Sequence, residues 1–402
     1  MNWEEQFART TERMRRSTVR EFMRYAQRPG MISFGGGLPA AELFPIAAFE
    51  QATEEVLEKR GGSALQYGET EGVGELREFI AAENKVAVEN VLITSGAQQA
   101  LDLIGRVLIN ADDRVAVENP TYLALLSSWR VHRPAFEPVR SDSEGLDVGI
   151  MNQGAKLLYV VPNFQNPQGT TLSLRRREQL AAHAQGEDLM VVEDDPYGAL
   201  RYEGEALPSI FELSGRCGGS VIKVGTFSKV LSPGIRVGWV IAHTALIEKL
   251  VPAKQAADLH TSTINQHVAL ELVKNGLLRE HVPMLCTEYR CRRDTMLRAL
   301  KQHMPDGVSW TEPAGGMFLL MTLPESLDGT TLARAALKEN VLVVPGADFH
   351  VIGGENTVRL NFSNAKPESI QVGIERLAAV LRRLLESQPN GNNRVSFSEV
   401  RA

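Results

Sequence analysis

In the stretch VGTFSKVLSPGIR, residues 224–236, an apolar run ends in Thr226, Ser228 and Lys229, and a Ser-Pro-Gly turn then returns to Arg236. A lysine among small residues, partly apolar surroundings and a nearby cation has its pKa lowered. The neutral amine left behind can form a Schiff base. The alternative is a solvated loop lysine. Arg236 offers a forked partner for a dianion, or is a surface arginine. Upstream, TSGAQQAL (94–101) places a glycine turn at the start of a helix-like run. Free backbone N–H groups at a positive dipole end suit a phosphate, although a plain strand-to-helix turn reads the same way. The turn matches neither GxxxxGK[ST] nor GxGxxG. Asp194 ends the apolar run in LMVVEDDPY (189–197), so its ionised form needs a partner. A protonated pyridine nitrogen would serve, unless the carboxylate caps a helix or turn. Asn166 and Tyr197 could share one phenolate oxygen, and Tyr122 offers a ring face for stacking.

These residues need a frame that brings them together. Short apolar runs alternate with helical patterns through the middle of the chain: VLITSG, VAVENP, KLLYVVPNF, LMVVEDDPY, VIKVG and VGWVIAH. Such alternation predicts an α/β fold, a mostly parallel sheet covered by helices on both faces. In open sheets of this kind ligands bind beyond the carboxyl ends of the strands. Ser95 to Gln98, Asn119 and Tyr122, Asn163 and Asn166, Asp194 and Tyr197, and Thr226 to Lys229 all follow such runs. One rim therefore collects hydroxyls, amides, a carboxylate and an amine.

Residues 46–290 are expected to form this large domain. Residues 1–45, read as an amphipathic helix and a Gly/Pro-rich segment, join 291–402 in a smaller α+β domain. The polar, turn-rich end, 386–402, is expected to be a flexible tail.

The chain has 402 residues, 43% hydrophobic and 23% charged, enough for a large core and two domains. A net charge of −6 and a pI near 5.9 argue against nucleic acid as the main partner. No run approaches a membrane span, and the charged N-terminus lacks the apolar core of a secretory signal. Cys217, Cys286 and Cys291 form neither a CxxC pair nor an even disulfide set. Ordinary thiols in a reducing compartment, the cytoplasm, are expected.

TSGAQQAL, FQNPQGTTLS, EDDPYGAL and GTFSKVLSPGIRVGW, in this order, resemble the fold-type I, pyridoxal-5′-phosphate (PLP)-dependent aminotransferases of class I/II. The similarity is greatest to the 2-aminoadipate (LysN-like), kynurenine and aromatic aminotransferase branch. It runs from STVREF near residue 17 to VRLNFS near 363. The resemblance implies that Lys229 bonds the cofactor aldehyde and shuttles the proton between substrate Cα and cofactor C4′. It pairs Asp194 with the pyridinium, sets Asn166 and Tyr197 on the ring 3′-oxygen, and stacks Tyr122. The phosphate falls to Ala97, Gln98, Thr226, Ser228 and Arg236. Ala97 stands where relatives often have serine, so one side-chain contact is missing. Tyr67, in ALQYGETEG, matches a tyrosine that reaches the neighbouring subunit's phosphate, which implies a homodimer. Arg359, in NTVRLNFS, matches the clamp for the substrate α-carboxylate, and Gly37, in FGGGLP, a backbone contact to the same group.

Arg20, in RRSTVREF, sits where some 2-aminoadipate-type relatives read a distal carboxylate. Its alternative is a solvated residue on a charged helix. The implied reaction is ping-pong amino transfer between an L-amino acid and a 2-oxo acid. Glutamate and 2-oxoglutarate form one expected pair, and 2-aminoadipate, an aromatic amino acid, kynurenine or leucine supplies the other. A β-lyase or synthase reaction on the same scaffold, or a non-catalytic aminotransferase-like regulator, are the alternatives. The regulator would need an appended winged helix, a pattern that residues 1–45 do not show.

Overall fold

The computed structural model describes residues 1–14, 18–151, 154–186 and 189–387. The expected tail from 388 onward lies outside the described residues. Strands among the described residues are β1 (Ile32–Ser33), β2 (Val91–Thr94), β3 (Arg114–Asn119), β4 (Ala135–Asp142), β5 (Gly145–Leu146), β6 (Leu157–Val160) and β7 (Met190–Asp194). They continue with β8 (Val221–Thr226), β9 (Gly238–Ile241), β10 (Ser309–Trp310), β11 (Phe318–Thr322), β12 (Val341–Leu342), β13 (Val344–Pro345) and β14 (Thr357–Asn361).

The large sheet has the order β2-β9-β8-β7-β6-β3-β4-β5. From β8 across to β4 every pairing is parallel. The continuous apolar runs follow from burial on both sides. Leu92, Val117, Tyr159, Val192 and Val224 point into one core. Their neighbours Val91, Ala116, Leu158, Val160 and Val191 point into another, on the opposite face. With side chains alternating at period two and both faces covered, the strand interiors are mostly apolar, and the polar residues inside them, such as Lys223 and Glu193, are hydrogen-bonded.

β9 runs antiparallel to both β2 and β8. The segment from 227 to 237 is too short for the crossover that a parallel return requires, so VGWVIAH comes back as the second arm of a broad hairpin. Because β9 is reversed, β2 and β8 point the same way and their carboxyl ends flank its first residue. Gly238 pairs with Thr94 on one side and Thr226 on the other. A Cβ at Gly238 would lie 2.8 Å from the Ala97 nitrogen. Only glycine lets the start of the helix Ala97–Leu108 sit this close to the sheet.

A second, antiparallel sheet, β10-β11-β14-β13, lies in the C-terminal region, and β1 pairs in parallel with β12. The N-terminal segment is thereby tied to the C-terminal part. The helix Leu277–His303 runs unbroken through the expected division at residue 290. The amphipathic helix expected near the N-terminus is replaced by 3-10 turns, Trp3–Gln6 and Arg9–Arg13, and a short helix, Thr18–Met23. Neither turn buries a residue, so the segment has no core to fold an apolar stripe against. No helix among the described residues is long and apolar enough to cross a membrane.

Candidate active site

The carboxyl ends of the parallel strands open into a cleft of about 1170 Å³, lined also by Phe318 of β11, Arg359 of β14 and Gly37. Of the residues the sequence assigned to the site, all line this cleft except Tyr67.

At one end lies a cradle of polar groups. Thr226 and Ser228, both buried, join their hydroxyls at 2.9 Å, and the Ser228 N–H donates to Thr226 Oγ1 at 3.1 Å. Gly96 precedes the helix at φ 85°, a conformation that favours glycine. A Cβ there would meet Arg236 Nη2 at 2.5 Å. The guanidinium thus lies against the helix start, and its Nη2 donates to the Ser95 carbonyl at 2.9 Å. Arg236 is itself left-handed, φ 53°. Ala97 and Gln98 form the first helical turn, whose N–H groups have no intrahelical partner. Helix start, two hydroxyls and a guanidinium together make a site for a dianion.

At the other end the groups are buried. Asp194 is 3% exposed and accepts from Tyr159 Oη at 2.7 Å, while its second oxygen, Oδ1, is buried without a partner. Burial pushes its carboxyl up to about 7, against the lowering effect of the Tyr159 bond. An unpartnered buried acceptor of this kind fits a protonated ring nitrogen, which would restore the ionised form. Burial lowers the Lys229 amine to about 8, helped by Arg359 and Arg236. Its Nζ donates to the Gly37 carbonyl at 3.0 Å. A fraction of neutral amine is therefore present near neutral pH.

Arg359, buried in β14 beside β11, lies between Phe318 and Phe349, 4.4 and 4.8 Å from their ring centroids. It donates to Asn166 Oδ1 at 3.0 Å and to the Gly35 carbonyl at 2.6 Å, and its Nε is buried without a partner. Burial lowers its pKa to about 10. Because Oδ1 of Asn166 is occupied, the Nδ2 hydrogens are the part of that side chain free to donate. Tyr197, in hydrogen-bond contact with Asn166, has its hydroxyl pushed well up by burial. Tyr122 Oη donates to Gln98 Oε1 at 3.3 Å, which links the ring end to the helix start.

Arg20 reaches the mouth of the cleft from the helix Thr18–Met23, exposed, beside Val19. Tyr67 lies on the surface, 78% exposed, edge-on to His260 with centroids 5.6 Å apart. Asn119 and Asn163, also at strand ends, serve the scaffold. Asn119 brackets Val351 and Ile352, and Asn163 joins Arg177 to Asp195. Two residues of the site gave no signal in sequence. Tyr159 sits inside an apolar run, and Phe318 reads as core.

An α/β sheet with this rim, its orphaned carboxylate oxygen and its anion cradle define a PLP-dependent enzyme of fold type I. The chain belongs to the aminotransferase class I and II family, whose profile matches residues 31–377. It is 44% identical to a 2-aminoadipate transaminase of Thermus thermophilus, over 96% of this chain and 98% of that one. It is 41% identical to aromatic-amino-acid aminotransferase 1 of Thermococcus litoralis, over 95% of each. The crystal structure of LysN, the α-aminoadipate aminotransferase of Thermus thermophilus complexed with N-(5′-phosphopyridoxyl)-L-leucine, superposes with a TM-score of 0.90. That comparison covers 96% of this chain and 100% of LysN at 42% identity. The protein is a PLP-dependent aminotransferase.

Proposed function

We propose that Lys229 is the residue that holds the cofactor covalently and moves the proton, and that the chain transfers amino groups to and from 2-oxoglutarate. The single observation that supports this best is a half-buried amine lowered to about 8, lying on the rim that also carries the unpartnered Asp194 oxygen. Bound PLP supplies an electron sink that acidifies the Cα–H bond of an attached amino acid. With PLP held there, Lys229 Nζ would be the base that accepts and gives back the Cα proton. Asp194 Oδ1 would hold the ring nitrogen protonated. Asn166 Nδ2 and Tyr197 Oη would hold the ring 3′-oxygen, and Tyr122 would offer its face to the ring. The Ala97 and Gln98 backbone, Thr226, Ser228 and Arg236 hold the phosphate. Arg359 binds the substrate α-carboxylate together with the Gly37 backbone.

The amino donor is read as acidic or aromatic. Both kinds are named among the similar proteins, and Arg20 stands at the mouth where a distal carboxylate would arrive. The unit is read as a homodimer, since Tyr67, exposed and edge-on to His260, lies outside its own subunit's cleft. Three free cysteines accord with the cytoplasm as the compartment.

Lys229→Ala tests the central assignment. The visible band of covalently held PLP and all amino transfer to 2-oxoglutarate should vanish, and full turnover by this variant would sink the reading. A donor panel repeated with Arg20→Ala tests the substrate class: 2-aminoadipate and glutamate should lose affinity while an aromatic donor holds.

A further inference from the structure

Ser95 follows β2 and precedes the helix that faces the phosphate cradle, and all three of its polar groups are taken. Its N–H donates to Gln99 Oε1 at 2.8 Å, and its carbonyl accepts from Arg236 Nη2 at 2.9 Å. Its hydroxyl donates to Asp258 Oδ2 at 2.9 Å and lies 3.2 Å from Thr261 Oγ1. The same Asp258 oxygen accepts from Gln99 Nε2 at 2.6 Å. Oδ1 accepts from Lys254 Nζ at 2.7 Å, an ammonium whose side chain has no exposure at all. Burial alone would raise the Asp258 carboxyl, but these donors outweigh it and hold the group below its usual range.

Asp258 is a carboxylate placed one residue away from a phosphate cradle, where a negative charge opposes the ligand. Its neutralisation by Lys254 removes most of that opposition, and what remains is geometry. Two donors converge on one oxygen and fix Ser95, and Ser95 fixes both the Arg236 guanidinium and the entry into the helix.

We propose, on the reading that the cleft holds PLP, that Asp258 is a positioning residue for the cofactor phosphate, acting through Ser95 and Gln99 on Arg236 and the first helical turn. Asparagine is nearly isosteric but has one acceptor oxygen in place of two. In Asp258→Asn an NH₂ group must face either Lys254 or the Ser95 and Gln99 donors, so one arm of the relay breaks.

The test is reconstitution of the full-length apoprotein with PLP and, separately, with pyridoxal, which lacks the phosphate. Wild type should bind PLP much more tightly than pyridoxal. Asp258→Asn should weaken PLP about tenfold, the size of one or two lost hydrogen bonds, and leave pyridoxal within about twofold. The pH titration of the visible band should not move, because the ring end is untouched. Ser95→Ala removes only the hydroxyl arm and should show the same selective loss, smaller; it serves if Asp258→Asn does not fold. Equal loss of PLP and pyridoxal would mean a merely structural role and overturn the inference. Unchanged or tighter PLP binding would do the same, showing charge repulsion to be the larger effect. Failure of the PLP reading itself is distinguishable: the wild-type protein would then show no visible band that Lys229→Ala removes.

Discussion

The two ends of the cleft are built in opposite ways. The proposed phosphate end draws Thr226, Ser228 and Arg236 from a single stretch of chain and adds one helix start, at Ala97 and Gln98. Arg236 is exposed, and the grip depends on backbone conformation at Gly96 and Gly238. The ring end draws Asp194, Tyr159, Asn166, Tyr197 and Arg359 from separate strands and loops. All five are buried, and the ionisable ones are shifted. A phosphate stays anionic at any working pH, so its site needs only well-placed donors. The ring must change its electron distribution during the reaction, and low polarity around it makes each charged neighbour count.

Asp194→Asn should break the ring end most severely. Loss of the carboxylate proposed to face the ring nitrogen should lower kcat by about 10²- to 10³-fold, the range for one preorganised electrostatic contact. PLP should still bind, because the phosphate end is intact. The same substitution should stabilise the apoprotein. Asp194 is held up at about 7 in the fold against 3.8 in an unfolded chain. Its contribution to stability is therefore fully present below pH 3.8 and is lost progressively as pH rises to about 7. Apo Asp194→Asn should thus melt a few degrees above apo wild type at pH 8, with the gap closing towards pH 4. A constant gap across that range would remove Asp194 as its source.

Arg359→Lys tests whether the buried fork, rather than its charge, is what the ring end uses. Lysine cannot bridge Asn166 and the Gly35 carbonyl while also meeting a carboxylate. The expected cost is about tenfold to hundredfold in kcat/KM, mainly in KM, with the visible band unchanged. A lysine variant with wild-type KM would reduce Arg359 to a point charge.

Tyr159→Phe sharpens the comparison from within. The hydroxyl stabilises the ionised Asp194, so its removal should raise the carboxyl pKa by about one unit. The acid limb of the kcat/KM profile should move up in pH by a similar amount, while PLP affinity stays unchanged. An unmoved acid limb would show that burial, and not this bond, sets the state of Asp194.

The two ends also differ in how much of them is legible in the sequence. Half of the phosphate end is local, so the spacing of Thr226, Ser228 and Arg236 already describes that half, and the glycine turn of TSGAQQAL signals the other. The alternation of apolar runs with helices likewise gives the parallel sheet and the rim. At the ring end, Asp194 could be singled out because a carboxylate ending an apolar strand is unusual. Tyr159 could not, since it reads as one more apolar position, and its contact depends on the β6–β7 register that pairs it with Val192. The reversal of β9 depends on the length of one connection. The half-exposed β4 shows no clean alternation, and Asp258 is 163 residues from the Ser95 it holds.

The smallest expected effect comes from completing the phosphate end. Ala97 offers that end only its backbone N–H, at the first position of the helix, beside Gly96 and the Arg236 guanidinium. Ala97→Ser adds a hydroxyl there, where the helix dipole already favours an anion. Serine is tolerated in a first turn, so the fold should be unaffected. One added hydrogen bond to a charged group in a partly solvated site should tighten PLP by about two- to tenfold. Neither pyridoxal affinity nor the pH titration of the visible band should change. If the band titration moved instead, the two ends would not be independent: the link from Gln98 to Tyr122 would be carrying the position of the phosphate to the ring.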